Sequence, residues 1–194
     1  MIISHKHKFA FVHIPKTGGT SVTSILKPHL GKGPSSGKGW QAHFHTGGMH
    51  SGIHRFHEMG KYFKFAFVRN PWDWLVSLYS SHAQIRGVVA RGKRGPAAWD
   101  NFIELVSKSH LRQQASWLMI GGKVCVDHVA RFENFTEEVG YIFNKLGFKY
   151  KKIPHRLRRK RQRHYVEWYN KKAVKIVAKA FGRDIKLFGY KFGV

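Results

Sequence analysis

The sequence predicts an α/β fold, a central parallel sheet flanked by helices, and three observations carry that prediction. The apolar, β-rich run Phe9 to Ile14 passes through a Pro- and Gly-containing turn into the helix-compatible run Val22 to Leu26. The run Phe63 to Val68, in which Phe63, Phe65 and Phe67 alternate, passes through Arg69-Asn70-Pro71 into a second helix. Further amphipathic stretches follow, and strands that alternate with helices imply a parallel sheet. At 194 residues and 42% hydrophobic, the chain is expected to be a single domain, 1–194, with a real core, and a disordered chain is excluded.

The first turn reads Pro15-Lys16-Thr17-Gly18-Gly19-Thr20-Ser21. Gly18 and Gly19 carry no Cβ, so the backbone is free to close around a ligand. The first N–H groups of the helix that follows lack internal partners and point at the turn. Lys16 adds a full positive charge, and the product is an anion cradle suited to a phosphate. The nucleotide-triphosphate P-loop is a poor match, because Lys16 precedes the glycines instead of following them.

Lys27 to Gly48, rich in Gly, Ser, Lys and His, is expected to be a long loop, and Ile53 to Met59 a short helix. In the second turn Pro71 occupies the first helical position and Asn70 the N-cap. The helix is predicted from about Trp72 to Ala83. Arg69 emerges at the carboxyl end of the strand, and Ser77 lies two helical turns on, able to face the same side. An Arg fork suits a phosphate, and a Ser hydroxyl completes its shell.

The order Pro-Lys-Thr-Gly-Gly-Thr-Ser resembles the 5′-phosphosulfate loop of the sulfotransferases, which move a sulfuryl group from 3′-phosphoadenosine-5′-phosphosulfate (PAPS) to an acceptor. The stretch from Val68 through Arg69-Asn70-Pro71-Trp72-Asp73 to Ser77 resembles their 3′-phosphate loop. The similarity is nearest to the carbohydrate-type branch, which includes heparan sulfate 2-O-sulfotransferases and related microbial enzymes. Val124 to Phe135 resembles that branch's strand entering a helix, and Asp184 to Phe192 its C-terminal end. The resemblance implies a P-loop-like three-layer form of the α/β fold. It places Lys16, Thr17, Gly18, Gly19, Thr20 and Ser21 on the 5′-phosphosulfate, and Arg69 and Ser77 on the 3′-phosphate. PAPS is then the donor and PAP the product.

Arg86 to Pro96, with Arg86, Arg91, Lys93 and Arg94 among small residues, is expected to be a second loop. Trp99, Phe102, Ile103 and Val106 share one face of a helix. Asn134 to Leu146 is a second amphipathic helix, capped by Asn134 or Thr136 and ended by Gly147. Lys149 to His164 is a strongly basic run containing Arg156, Arg158, Arg159, Lys160, Arg161 and Arg163. Alone it reads as a solvated connector; the resemblance implies a loop that closes over the nucleotide with a basic residue on a phosphate. Tyr165 to Phe181 is expected to be helical throughout.

Sulfuryl transfer to an alcohol needs a base, and histidine suits that work near neutral pH. His43, His45, His50, His54 and His57 cluster between the two loops. The segment His50 to Gly60 resembles the family segment that opens with its base histidine, which assigns the base to His50, with His45 the second choice. Lys16 would then neutralise charge on the departing phosphate oxygen. The histidines match no strong zinc spacing and no cysteine stands among them, so no metal is expected.

With Lys plus Arg 35 against Asp plus Glu 10, the net charge is +25, more than two phosphate sites require. An acidic glycan acceptor, non-specific nucleic-acid contact and a solubility effect each account for the surplus. Cys125 is the only cysteine; an internal disulfide is excluded, and the residue is read as buried in an apolar strand. The first residues are too short for a signal peptide, and no apolar run reaches the length of a membrane span. The expectation is a cytosolic protein of microbial or viral origin. Two other functions compete with sulfuryl transfer. One is a basic module binding nucleic acid or another polyanion. The other is a P-loop nucleotide kinase, for which Asp127 is the one candidate metal ligand.

Overall fold

A computed structural model describes residues 1–30, 53, 60–80, 96–109, 111–149 and 163–194. In chain order the regular elements are β1 (Ile2–Ser4), β2 (Phe9–Val12), α1 (Gly19–Leu26), β3 (Phe63–Val68), α2 (Pro71–Ser80), α3 (Pro96–Lys108) and α4 (Ala115–Leu118). There follow β4 (Met119–Ile120), β5 (Lys123–Val124), β6 (His128–Arg131), α5 (Phe135–Lys145), α6 (Lys171–Ala180) and α7 (Gly182–Phe188). The chain forms two compact units, Met1–Val68 with Ser116–Arg159, and Arg69–Ala115 with Lys160–Val194.

The first unit is built on a four-stranded sheet in the order β1-β2-β3-β6. β2 pairs parallel to β3, and β3 parallel to β6, as the strand–turn–helix pattern predicts. β1 departs from the all-parallel expectation, because it runs antiparallel to β2 with Ile2 opposite Phe11. The reason is the short connection over residues 5–8, with Lys8 in the left-handed region at φ 52°. A tight turn reverses the chain, whereas a parallel neighbour needs a crossover of a dozen residues or more.

Alternation along the strands fills one face of this sheet. Ile2, Phe9, Phe11, Phe65, Phe67 and Ala130 form one core with Val22, Ile25 and Leu26 of α1 and Val139, Ile142 and Phe143 of α5. Phe11 stacks on Phe65 at 5.2 Å. A one-residue slip would turn every one of these rings to the opposite face, so burial sets the register.

Two local expectations fail here. Asn134 stands at the cap position of α5, yet its side chain makes no capping bond, and Thr136 lies inside the helix. Glu138 of α5 ties the helix back to β6: Oε1 accepts the Arg131 N–H at 2.9 Å and Oε2 lies 2.7 Å from His128 Nε2. Gly147 does end the helix, at φ 66°. Cys125 is half-buried between β5 and β6, not buried in a strand. Gly121 and Gly122, at φ 55° and 82°, fold residues 119–124 into a small hairpin, and β6 begins only at His128.

In the second unit Pro71 is the first residue of α2, and Asn70 Oδ1 accepts the Trp72 N–H at 3.2 Å, the predicted cap. Asn70 Nδ2 donates to the Lys191 carbonyl at 2.9 Å, which explains how a polar residue comes to be almost wholly buried. Trp99, Phe102, Ile103 and Val106 are the buried face of α3, as the spacing predicts. The single helix expected over Tyr165–Phe181 is two pieces: a 3₁₀ turn at Tyr165–Trp168, then α6. Extended backbone at Tyr169 breaks it, and Asn170 restarts it by accepting the Ala173 N–H at 2.8 Å. Lys27–His29 is a 3₁₀ turn. The rest of the expected loop to Gly48, the 53–59 helix apart from buried Ile53, the loop of 86–95, Ala83 and residues 150–162 lie outside the described residues.

Candidate active site

The turn after β2 owes its shape to residues that face the protein. Lys16, half-buried, holds φ 66°, a left-handed conformation that glycine adopts far more readily than lysine. Thr17 is fully buried and donates its hydroxyl to the Ile14 carbonyl at 2.9 Å, closing the turn behind Lys16. Gly18 sits at φ 86°, and its carbonyl accepts the Ser21 and Val22 N–H groups at 2.9 and 3.1 Å, opening α1. Gly19 and Thr20 supply the first two amides of α1, Thr20 on the exposed side, with Ser21 buried behind.

The two glycines have a reason beyond ligand approach. A Cβ at Gly18 would stand 2.8 Å from Phe135 and 3.1 Å from Phe132. A Cβ at Gly19 would stand 1.9 Å from the ring of His13, a residue the sequence reading absorbed into the strand. His13 is buried and stacks on Phe11 at 5.6 Å, so moving its ring aside would give up that stack. Gly19→Ala is therefore expected to cost about 3 kcal/mol, the upper range for overpacking. Gly182→Ala, where a Cβ meets nothing within 4 Å, is expected to be neutral or mildly stabilising. Urea unfolding of the two variants checks both; equal midpoints would dissolve the packing argument.

β2, β3 and β6 run parallel, so the Lys16 turn lies at the carboxyl edge of the sheet, where such sheets bind ligands. Asp127 precedes β6 and so lies at the opposite, amino edge. Its carboxylate accepts the Lys64 N–H at 2.6 Å and pairs with Lys64 Nζ at 3.2 Å. The single acid that the kinase alternative could draw on is both misplaced and engaged.

In the second unit Arg69 is 7% exposed, and its Nε donates to Asp73 Oδ2 at 2.6 Å. Arg69, Asp73 and Ser77 follow one another at helical spacing, and Asp73 and Ser77 are the half-buried positions of an otherwise buried stretch of α2. The sequence reading named Arg69 and Ser77 but missed Asp73, although the i, i+4 spacing to Arg69 was there to be read. It missed two others. Gln114 Oε1 accepts the Arg69 N–H at 2.9 Å, and Gln114 Nε2 donates to the Arg69 carbonyl at 2.7 Å. Asp184 accepts the N–H groups of Gln114 and Ala115, each at 2.8 Å. No local signal marks partners 45 and 70 residues apart.

Burial raises the Asp184 carboxyl from 3.8 to about 6, against the pull of its two N–H donors. The unfolded chain therefore loses this proton first as pH rises. Between about pH 4 and 6 the native state holds the extra proton, so this group's contribution to stability falls with rising pH, by about 3 kcal/mol over the window. The melting temperature of wild type relative to Asp184→Asn, which removes the titration, is expected to decline from pH 4 to 6; a flat difference would refute it.

His50 and His45 lie outside the described residues, as do Arg156 to Arg161; Arg163 is described and exposed. Among the described residues no cluster of His, Cys, Asp and Glu could hold a metal ion, and no helix is long and apolar enough to cross a membrane.

Lysine in the turn after β2 and arginine in the turn after β3 characterise an α/β protein with a cation at each of two strand-to-helix turns. The sequence matches the model of the sulfotransferase family over residues 1–191. The chain belongs to that family and is a transferase of sulfuryl groups. No curated protein and no solved structure matches it.

Proposed function

We propose that the protein, acting as one catalytic domain over 1–194, transfers a sulfuryl group from PAPS to a hydroxyl of a carbohydrate acceptor. The observation that carries the reading is the Lys16 turn at the carboxyl edge of a parallel sheet, in a chain of the sulfotransferase family. The donor set suits a nucleotide with two separate phosphate groups. Lys16 and the amides of Gly19 and Thr20 would take the 5′-phosphosulfate, with Thr17, Gly18 and Ser21 shaping the turn, and Arg69 and Ser77 the 3′-phosphate. When bound, PAPS supplies the sulfuryl group and a phosphate that leaves readily. Lys16 neutralises charge developing on the leaving oxygen, since fixed donors aimed at developing charge are usually the largest catalytic contribution. His50 accepts the proton of the acceptor hydroxyl. The net charge of +25 favours an acidic acceptor, whose encounter it would speed.

Thermal unfolding with PAP tests the donor. At a hundredfold excess over its dissociation constant, PAP is expected to raise the melting temperature by about 5–10 °C, with ATP doing much less. Arg69→Ala should remove most of that shift, because losing a charge-assisted phosphate contact costs about 1.5–3 kcal/mol. No shift at saturating PAP would sink the PAPS reading.

A further inference from the structure

We propose that Gln114 and Asp184 are positioning residues that aim Arg69, so that donor affinity depends on two side chains that touch no ligand. The proposal rests on the reading of Arg69 as a phosphate ligand.

β3 ends at Val68, and Arg69 is the first residue beyond it. A residue leaving a strand has both main-chain groups to satisfy. Gln114 satisfies both with one amide, its Oε1 on the N–H and its Nε2 on the carbonyl. It acts as a one-residue strand pairing with Arg69. Asp73 then fixes the guanidinium through Nε at 2.6 Å, so Arg69 is gripped at its backbone and at its head.

Gln114 is itself held. Asp184 accepts its N–H at 2.8 Å, and the second carboxylate oxygen takes the N–H of Ala115. In return Gln113 Oε1 accepts the Arg183 and Asp184 N–H groups at 3.1 and 3.3 Å, which satisfies the amino end of α7. Gln114 and Asp184 are each 0% exposed. Burying an amide and a carboxyl is costly, and apolar residues of similar volume would hold the same elements together at no such cost. The raised Asp184 carboxyl, near 6, records part of that cost. A fully satisfied polar network gives direction in exchange, which an apolar contact does not. Here the direction converges on the main chain of one residue, Arg69, whose guanidinium Asp73 holds.

The test is a double-mutant cycle on PAP affinity by calorimetry, with wild type, Gln114→Met, Arg69→Ala and the double variant. Gln114→Met is expected to weaken PAP roughly tenfold with Arg69 present, the size of a lost buried hydrogen bond. In the Arg69→Ala background the same change should leave PAP affinity within about twofold, since additivity fails only for coupled pairs. A purely structural role would lower the melting temperature and leave affinity alone, or weaken PAP equally in both backgrounds; either result overturns the proposal. If Gln114→Met does not fold, Asp184→Asn, which keeps the side chain's shape, takes its place in the cycle. Wild type that fails to bind PAP would overturn the donor site and this proposal together. PAP binding that Arg69→Ala weakens and the Gln114 and Asp184 variants do not would overturn this proposal alone.

Discussion

Replacing His50 by alanine is expected to lower sulfuryl transfer by about 10²–10⁴-fold, the usual worth of a positioned base, while PAP binding and folding stay close to wild type. The motivation is its place in the sequence between the two cationic turns and the resemblance of the segment His50 to Gly60 to the family segment that opens with a base histidine. His45→Ala should cost far less. The wild-type rate should rise with pH through one group near neutrality, because the imidazole must be unprotonated to accept the hydroxyl proton. The check is a steady-state assay with labelled PAPS, paired with PAP calorimetry on each variant. Full activity in His50→Ala with loss in His45→Ala would move the base to His45. Full activity in both would place the base elsewhere.

The second large effect is expected at Lys16. Charge on the leaving oxygen develops fully only as transfer proceeds, so the lysine's contribution should fall on the transition state more than on bound nucleotide. Its removal should lower the rate by about 10²–10³-fold and PAP affinity by much less. The structure dictates which variant is informative. Lys16 holds φ 66°, where alanine keeps the backbone strain that lysine already bears and glycine relieves it. Lys16→Gly therefore removes the charge at a backbone conformation glycine accepts, and Lys16→Ala is expected to be equally slow but less stable than Lys16→Gly. Equal losses in rate and PAP affinity for Lys16→Gly would reduce Lys16 to a binding residue.

Much of the fold was legible because its signals are local. Alternation in Phe63 to Val68 announced β3, Pro71 and Asn70 announced the start of α2, and the spacing of Trp99, Phe102, Ile103 and Val106 announced the buried face of α3. Two of the misreadings share one cause, which is that propensity does not say which of two local options the chain takes. Asn134 has the chemistry of a cap, but its side chain makes no capping bond to α5. Tyr165 to Phe181 reads as continuous helix, but Asn170 restarts the helix from inside it.

The candidate site divides the same way. Sequence by itself determined the family, the two cationic turns and the order Pro-Lys-Thr-Gly-Gly, because those depend on which residues are adjacent in the chain. Only tertiary structure decided why Gly19 must be glycine, since His13 meets it across the turn. Only tertiary structure showed that Asp127 lies at the wrong edge of the sheet, since that follows from strand direction. It alone brought Gln114 to Arg69 and Asp184 to Gln114. Hydrogen bonds and excluded volume act over a few ångströms of space and take no account of separation along the chain, so contacts across 45 or 70 residues leave no mark in local sequence.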